Sequence, residues 1–419
     1  MPGHKGLFGH PHDITEIDGA DVLYSPSGII KESETYAAEL FGTARTVYSA
    51  EGSSLSIKAM LALTVTYARE RGERPLILAA RNAHKTFVNA AALLDFDVEW
   101  IWGDSLIHCP VNASVLEDAI KRLGRKPTAL YVTSPDYLGN ICDIRPLADV
   151  CHEHGILLLV DNAHGAYLRF LPEDIHPITL GADLSCDSAH KTLPAITGAG
   201  YLHVSKNAPS IFAERADEAM ALFASTSPSY LILESLDAAN AYLSDGFGEK
   251  LGLFKERLDG MKKRLEAAGF TLVGDEALKM TLLAKDCGYL GTELSSYLEK
   301  RGFVSEFSDP DFLTLMFSPE FGEEELSALE NAFLSLQRKS PIKSEPPKPP
   351  RAVSAMRPRD AVLAPSLTVD VKESVGRVLA SASVSCPPAV PILMSGEIIT
   401  KEACECFEYY GTEKIRVVK

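Results

Sequence analysis

The stretch ILLLVDNAHG, residues 156–165, runs through five apolar residues and then breaks into polar ones, Asp161 being the first. Five apolar side chains without polar alternation need cover on both faces, as in a parallel sheet packed between helices. The pattern recurs in TVYS (46–49), LILAA (76–80), VEWIW (98–102), ALYVT (129–133), DLSC (183–186) and GYLHV (200–204). Helix-length segments such as SLSIKAMLALTVTYARERG, HKTFVNAAALL and DIRPLADVCHEHG separate them. The expectation is an α/β fold with a mainly parallel seven-stranded sheet covered by helices. Ligands in such sheets bind beyond the carboxyl ends of the strands, so the residues that follow each apolar run are the candidates for chemistry.

Beyond this region a long charged helix, GEKLGLFKERLDGMKKRLEAAG, leads into a second, shorter α/β pattern with KMTLLAK, TELSSYLEKRG and FLTLMFS. The composition then shifts to the Pro- and Lys/Arg-rich SPIKSEPPKPPRAVSAMRPRDAVLAP, which reads as an extended linker. The expected layout is an N-terminal arm (1–45), a large domain (46–245), a smaller α+β domain (246–338), a Pro-rich linker (339–361) and a C-terminal domain (362–419).

The 419 residues carry 41 Lys+Arg against 57 Asp+Glu, a net charge of −16. That balance disfavours nucleic-acid binding, which wants a basic face, and suits small cationic ligands. The 8 cysteines are scattered, without paired zinc-ligand spacing; reduced thiols and a cytoplasmic location are expected. In Cys151-His152-Glu153-His154 the two histidines stand two apart on a helix and cannot share a face, so no metal is expected. No apolar run reaches the ~20 residues that span a bilayer.

Four strand ends carry chemistry. Gly52-Ser53-Ser54 after TVYS opens a helix with free amides and two hydroxyls, which suits a phosphate or simply caps the helix. Arg81-Asn82-Ala83-His84 after LILAA places an imidazole at a helix start, as a cap or as a flat surface for a planar ring. Asp161 ends a buried strand, where an ionised carboxylate is costly unless a cation meets it. Ser188-Ala189-His190-Lys191 after DLSC supplies an amine able to form a Schiff base. An amine, a strand-terminal acid and a Gly-Ser-Ser helix start are together what pyridoxal 5'-phosphate needs.

These residues resemble the pyridoxal-phosphate-dependent Orn/Lys/Arg decarboxylases of the aspartate-aminotransferase fold type. The matching stretches include MPGHKG (1–6), EGSSLSIKAM (51–60), RNAHKTF (81–87), VDNAHGAY (160–167), SAHKTLPAITGAGYLHV (188–204), STSPSYLILESLD (225–237) and PPAVPILMSGEIIT (387–400). The resemblance implies that Lys191 binds the cofactor covalently, Asp161 pairs with its ring nitrogen and His84 stacks on the ring. Ser53, Ser54, Ser188 and His190 would hold the phosphate, and His164 would lie near ring and substrate. It also implies a homodimer with a shared active site, or a higher oligomer, in which Thr226 or Ser227 reaches the neighbouring subunit's phosphate. His4 and Lys5 would line the entrance. The chain departs from the family pattern at Glu51, Asn162 and Gly198. Because it starts directly at MPGHKG, the compact biosynthetic type is expected, without a receiver-like domain.

The implied function is decarboxylation of a basic amino acid, arginine first and then lysine or ornithine, as in polyamine synthesis. An aminotransferase or another lyase on the same fold is the alternative, and a non-catalytic relative a more distant one. Aminotransferases of this fold usually grip the substrate carboxylate with an arginine in the smaller domain. Arg257, Arg264 and Arg301 are expected on helices instead.

Overall fold

The computed structural model describes residues 3–7, 9–381, 385–386 (backbone) and 390–419. The Cys386 side chain, residues 387–389 and the first two residues of MPGHKG lie outside the described residues.

The large sheet has the order β1-β7-β6-β5-β4-β2-β3, with β1 Arg45–Ser49, β2 Leu76–Ala80, β3 Asp97–Ile101, β4 Ala129–Thr133, β5 Leu157–Asp161, β6 Leu184–Asp187 and β7 Gly200–Val204. β7 runs antiparallel to both its neighbours, and the other pairings are parallel. The seven-stranded, mainly parallel α/β architecture is the expected one, each strand lying within one residue of its apolar run. The strands alternate between two cores. Ile77, Ala79, Tyr131 and Leu159 face α2 (Ser53–Glu70) and α3 (Lys85–Leu94). Leu78, Ala80, Leu130, Val132, Leu158 and Val160 face α4 (Ala113–Arg122) and α5 (Ile144–Glu153). Both faces of every strand but the edge strand β3 are thus dry, and β2, β4 and β5 accordingly read as runs with little polar alternation.

The helix Phe247–Ala267 buries Phe247, Leu251, Phe254, Leu258, Met261 and Leu265. The 4-3-4-3-4 spacing makes one apolar stripe among charges, and it packs in the core shared with the second sheet. That sheet is antiparallel, ordered β10-β11-β9-β8, with β8 Leu272–Val273, β9 Lys279–Leu283, β10 Phe307–Ser308 and β11 Phe312–Met316.

A third core gathers Leu379, Ile392, Leu393, Ile399, Phe407, Ile415 and Val417 from the C-terminal part with Tyr137, Leu138 and Phe307. Arg81, at the end of β2, fastens this part to the large sheet. It donates to the carbonyls of Pro391 (2.7 Å) and Ile392 (2.9 Å) and lies between Trp100 and Trp102. Residues 339–350 have no regular secondary structure but are held by backbone bonds, Lys339 N to Cys287 O and Ile342 N to Lys285 O (both 3.0 Å). Within the segment expected as linker, Ser354 pairs with Glu397, and the helix Pro358–Leu363 packs against α3.

Candidate functional site

The carboxyl ends of the parallel strands open into a cavity of about 310 Å³. Its lining includes Glu51, Ser53, Ser54, His84, Asp161, His164, Ser188, His190, Lys191 and Gly198, drawn from segments 51–57, 84, 133–137, 161–164 and 188–198. Eight of the expected site residues therefore meet here, Ser53, Ser54, His84, Asp161, His164, Ser188, His190 and Lys191, together with the departing positions Glu51 and Gly198.

Each is placed by its strand end. Gly52 caps α2 without a side-chain bond to the first-turn amides, and Ser188 Oγ donates to Ser53 Oγ at 2.7 Å. The following strand runs close beneath. A Cβ on Gly200 would sit 2.9 Å from Asp187 O and 3.1 Å from Ser53 N, so only glycine fits. Gly198 has φ +101°, and a Cβ there would meet Ile232 Cδ1 at 3.0 Å and Ala50 O at 3.2 Å. Its identity therefore has a backbone cause. His190 Nδ1 donates to Ala199 O (3.0 Å), which fixes its ring against β7.

His84 caps α3, its Nδ1 accepting the Thr86 amide (3.2 Å), and its ring lines the cavity. Burial, then Lys191 and Lys85, push it down to about 4, so the ring is neutral with its proton on Nε2.

Asp161 is wholly buried. Its Oδ2 accepts from Tyr131 Oη (2.9 Å) and its Oδ1 from the Ala163 amide (3.3 Å). Burial raises its pKa despite the tyrosine bond, and no ion pair within 4.0 Å offsets its charge among the described residues. Lys191, on the helical turn Ala189–Thr192 after β6, has its Nζ 2.8 Å from His164 Nε2 and 4.0 Å from Glu306 Oε1. Burial lowers its pKa against the opposing pull of Glu306. A buried acid without an ion-pair partner within 4.0 Å, an amine shifted toward its neutral form and an uncapped helix start beside hydroxyls form a donor set that fits pyridoxal phosphate.

Residues 8–273 match the family model described as Orn/Lys/Arg decarboxylase, major domain. The chain belongs to the Orn/Lys/Arg decarboxylase family. The decarboxylase is 31% identical to Bacillus subtilis protein YaaO, across 94% of this chain and 84% of that one. It is 30% identical to an arginine decarboxylase of Halalkalibacterium halodurans, across 93% and 82%. Its fold is similar to that of the Escherichia coli constitutive lysine decarboxylase (TM-score 0.76, 20% identity, 100% of this chain and 79% of the other).

Other expected residues of the decarboxylase lie elsewhere. Thr226 and Ser227 are exposed and outside the cavity lining, although the neighbouring Ser225 amide donates to Glu51 Oε1 at 2.6 Å. His4 pairs with Asp13 (2.9 Å), and Lys5 is exposed, both also outside the lining. Asn162 is buried and donates to Asp187 Oδ1 (2.7 Å). Among the described residues no arginine lines the cavity. Arg257 pairs with Glu323, Arg264 with Glu330, and Arg301 lies 3.6 Å over the Tyr297 ring.

Sequence reading missed a second set of residues. Lys279 Nζ, from β9 of the smaller sheet, lies 2.8 Å from His164 Nδ1 and 2.7 Å from Glu276 Oε2, and donates to Asp136 O (2.9 Å). In KMTLLAK the lysine looks like a solvated strand end. Its burial, at 3% exposure, has no local signal. His176, Asp187 and His203 form a buried cluster of metal-ligating types. Both imidazoles share Asp187 Oδ2 (3.1 and 3.2 Å), and their other nitrogens meet the Ile178 amide and the Thr46 hydroxyl. Its polar atoms are satisfied by hydrogen bonds within the fold. No helix among the described residues is long and apolar enough to cross a membrane.

Proposed function

We propose that this amino-acid decarboxylase acts on arginine with pyridoxal 5'-phosphate as cofactor, releasing carbon dioxide and the corresponding amine. The observation that carries the reading is Asp161: a wholly buried carboxylate with no ion pair within 4.0 Å among the described residues, facing a cavity that also holds an amine and an uncapped helix start. A protonated heterocycle nitrogen would supply the missing partner.

Lys191 would attach the cofactor, Ser53, Ser54, Ser188, His190 and the first-turn amides of α2 would hold its phosphate, and His84 would lie on its ring. When bound, the cofactor supplies the electron sink that lets the bond to the carboxylate break. Asp161 keeps the proton on the ring nitrogen, a fixed charge in a dry site and so an effective one. Lys191 and His164, 2.8 Å apart, are the groups able to return a proton to the substrate carbon. The absence of arginine from the described lining leaves the substrate carboxylate without a neutralising clamp, which favours its loss. Glu51 lines the cavity and Glu306 approaches Lys191; both suit a substrate with a cationic tail. Arginine is chosen over lysine because several relatives, each matched over more than four-fifths of its own length, are arginine decarboxylases. A cytoplasmic dimer completed by Thr226 or Ser227 of a second copy is part of the same reading.

The test is incubation with arginine, lysine or ornithine, with and without a keto acid, measuring carbon dioxide and product amine. The expected result is carbon dioxide and agmatine from arginine in equal amounts, independent of keto acid. Keto-acid-dependent amino transfer without carbon dioxide would overturn it.

A further inference from the structure

His164 stands between two lysines. Its Nε2 is 2.8 Å from Lys191 Nζ and its Nδ1 is 2.8 Å from Lys279 Nζ. Burial, with Lys279 and Lys191 adding to it, drives the imidazole well below its ordinary range, so the ring is neutral and carries one N–H. An ammonium only donates, so the two lysines cannot both be charged and both bond to this ring. Lys279 has the counter-charge, Glu276 Oε2 at 2.7 Å, and a further acceptor in Asp136 O. Lys191 has Glu306 only at 4.0 Å. Lys279 is therefore the cation, Nδ1 the acceptor and Nε2–H the donor, and Nε2–H can bond to Lys191 only if that amine is neutral.

We propose that Lys279 is a positioning residue: by occupying His164 Nδ1 it places the ring proton on Nε2 and so selects the neutral amine of Lys191. A lysine of the smaller sheet thus sets the chemical state of the amine of the larger one. The proposal deepens the functional reading only in giving that neutral amine a use, as the nucleophile toward a carbonyl carbon. The groups facing His164 are Lys191 and His84 on the large-sheet side and Lys279 on the other, with the Tyr137 ring edge against it. Those facing Lys191 are His164, His84, Asp161, Glu306, Lys279 and Glu276.

The test uses the full chain after hydroxylamine treatment and dialysis, with nitrogen-15 labelled histidine. Long-range proton–nitrogen correlation reads the His164 tautomer, and carbon-13 reductive methylation reads the titration of Lys191. The native chain should show the Nε2–H form with a bare Nδ1 from pH 6 to 9. Lys279→Met should move the ring toward the Nδ1–H form and raise the Lys191 pKa by about one unit or more. If Lys279→Met fails to fold because Glu276 is left unpaired, the double variant Lys279→Met/Glu276→Gln gives the same tautomer readout. An Nδ1–H or doubly protonated ring in the native chain, or an unmoved tautomer in a folded variant, overturns the proposal. Both signals are read without substrate, so absent arginine decarboxylation would leave this result standing, and the converse.

Discussion

Asp161 and Asp187 end adjacent parallel strands, and both are wholly buried. Burial would push both carboxyls up. At Asp187 it is overcome by His176 and His203, which share one oxygen, and the acid is held well below the usual carboxylate range. At Asp161 a phenol, one amide, the more distant charge of Lys191 and the Cys186 thiol are not enough, and the acid stays raised. One carboxylate is paid in full by the fold, whereas the other is left for something that binds. Of these two perturbed acids, the one that lines the cavity is the one left without an ion pair within the described fold.

The sharpest way to break this contrast is to neutralise each acid. Asp161→Asn should lower kcat by about 10²–10³-fold or more, as loss of a preorganised charge does, while the melting temperature of the cofactor-free chain stays level or rises. Steady-state kinetics and thermal unfolding check it; equal activity would remove Asp161 from the site. Asp187→Asn strands two buried histidines and should cost stability on the order of 3–5 kcal/mol, read by denaturant unfolding, and its activity loss should follow the folded fraction.

Acid titration separates the pair by sign. Asp187 has a depressed folded pKa, so its stabilisation is full above the unfolded value near 4 and is lost as pH falls toward the folded value. Asp161 has a raised folded pKa; between the unfolded and folded values the native cofactor-free chain holds the extra proton, and this acid's share of stability grows as pH falls. Unfolding free energies from pH 6 to 3 should therefore fall less steeply in Asp187→Asn than in the parent, and more steeply in Asp161→Asn. The smallest effect belongs to Tyr131→Phe. Losing one hydrogen bond to a buried acid should cost about 1–3 kcal/mol and weaken cofactor binding, measured by unfolding and by cofactor titration.

The large sheet was legible because both faces of its inner strands are dry, leaving apolar runs with polar residues at one end. The placement of Asp161, His84 and Lys191 was legible from the same runs: Asp161 follows one directly, and His84 and Lys191 stand in the short polar segments that follow Ala80 and Cys186. Asp187 was not distinguishable from Asp161 by sequence, since its histidines stand 11 and 16 residues away in sequence without periodic relation to it. Tyr131 sits mid-strand, where a tyrosine reads as core. Lys279 and Glu276 acquire meaning only when the second sheet closes on the first, and that closure has no local signature. The exposed positions Thr226, Ser227, His4 and Lys5 rest on the family resemblance alone.

Arg81 ties these strands to the far end of the chain. Its guanidinium is gripped by carbonyls 310 and 311 positions downstream, and three residues after it comes His84. During synthesis the strand β2 can be made early, but the loop carrying the imidazole lacks its anchor until residue 392 has emerged. Such a high-separation contact is slow to form. The rim of the cavity and the far end of the chain are thus joined by one side chain, across a sequence separation that no local contact bridges.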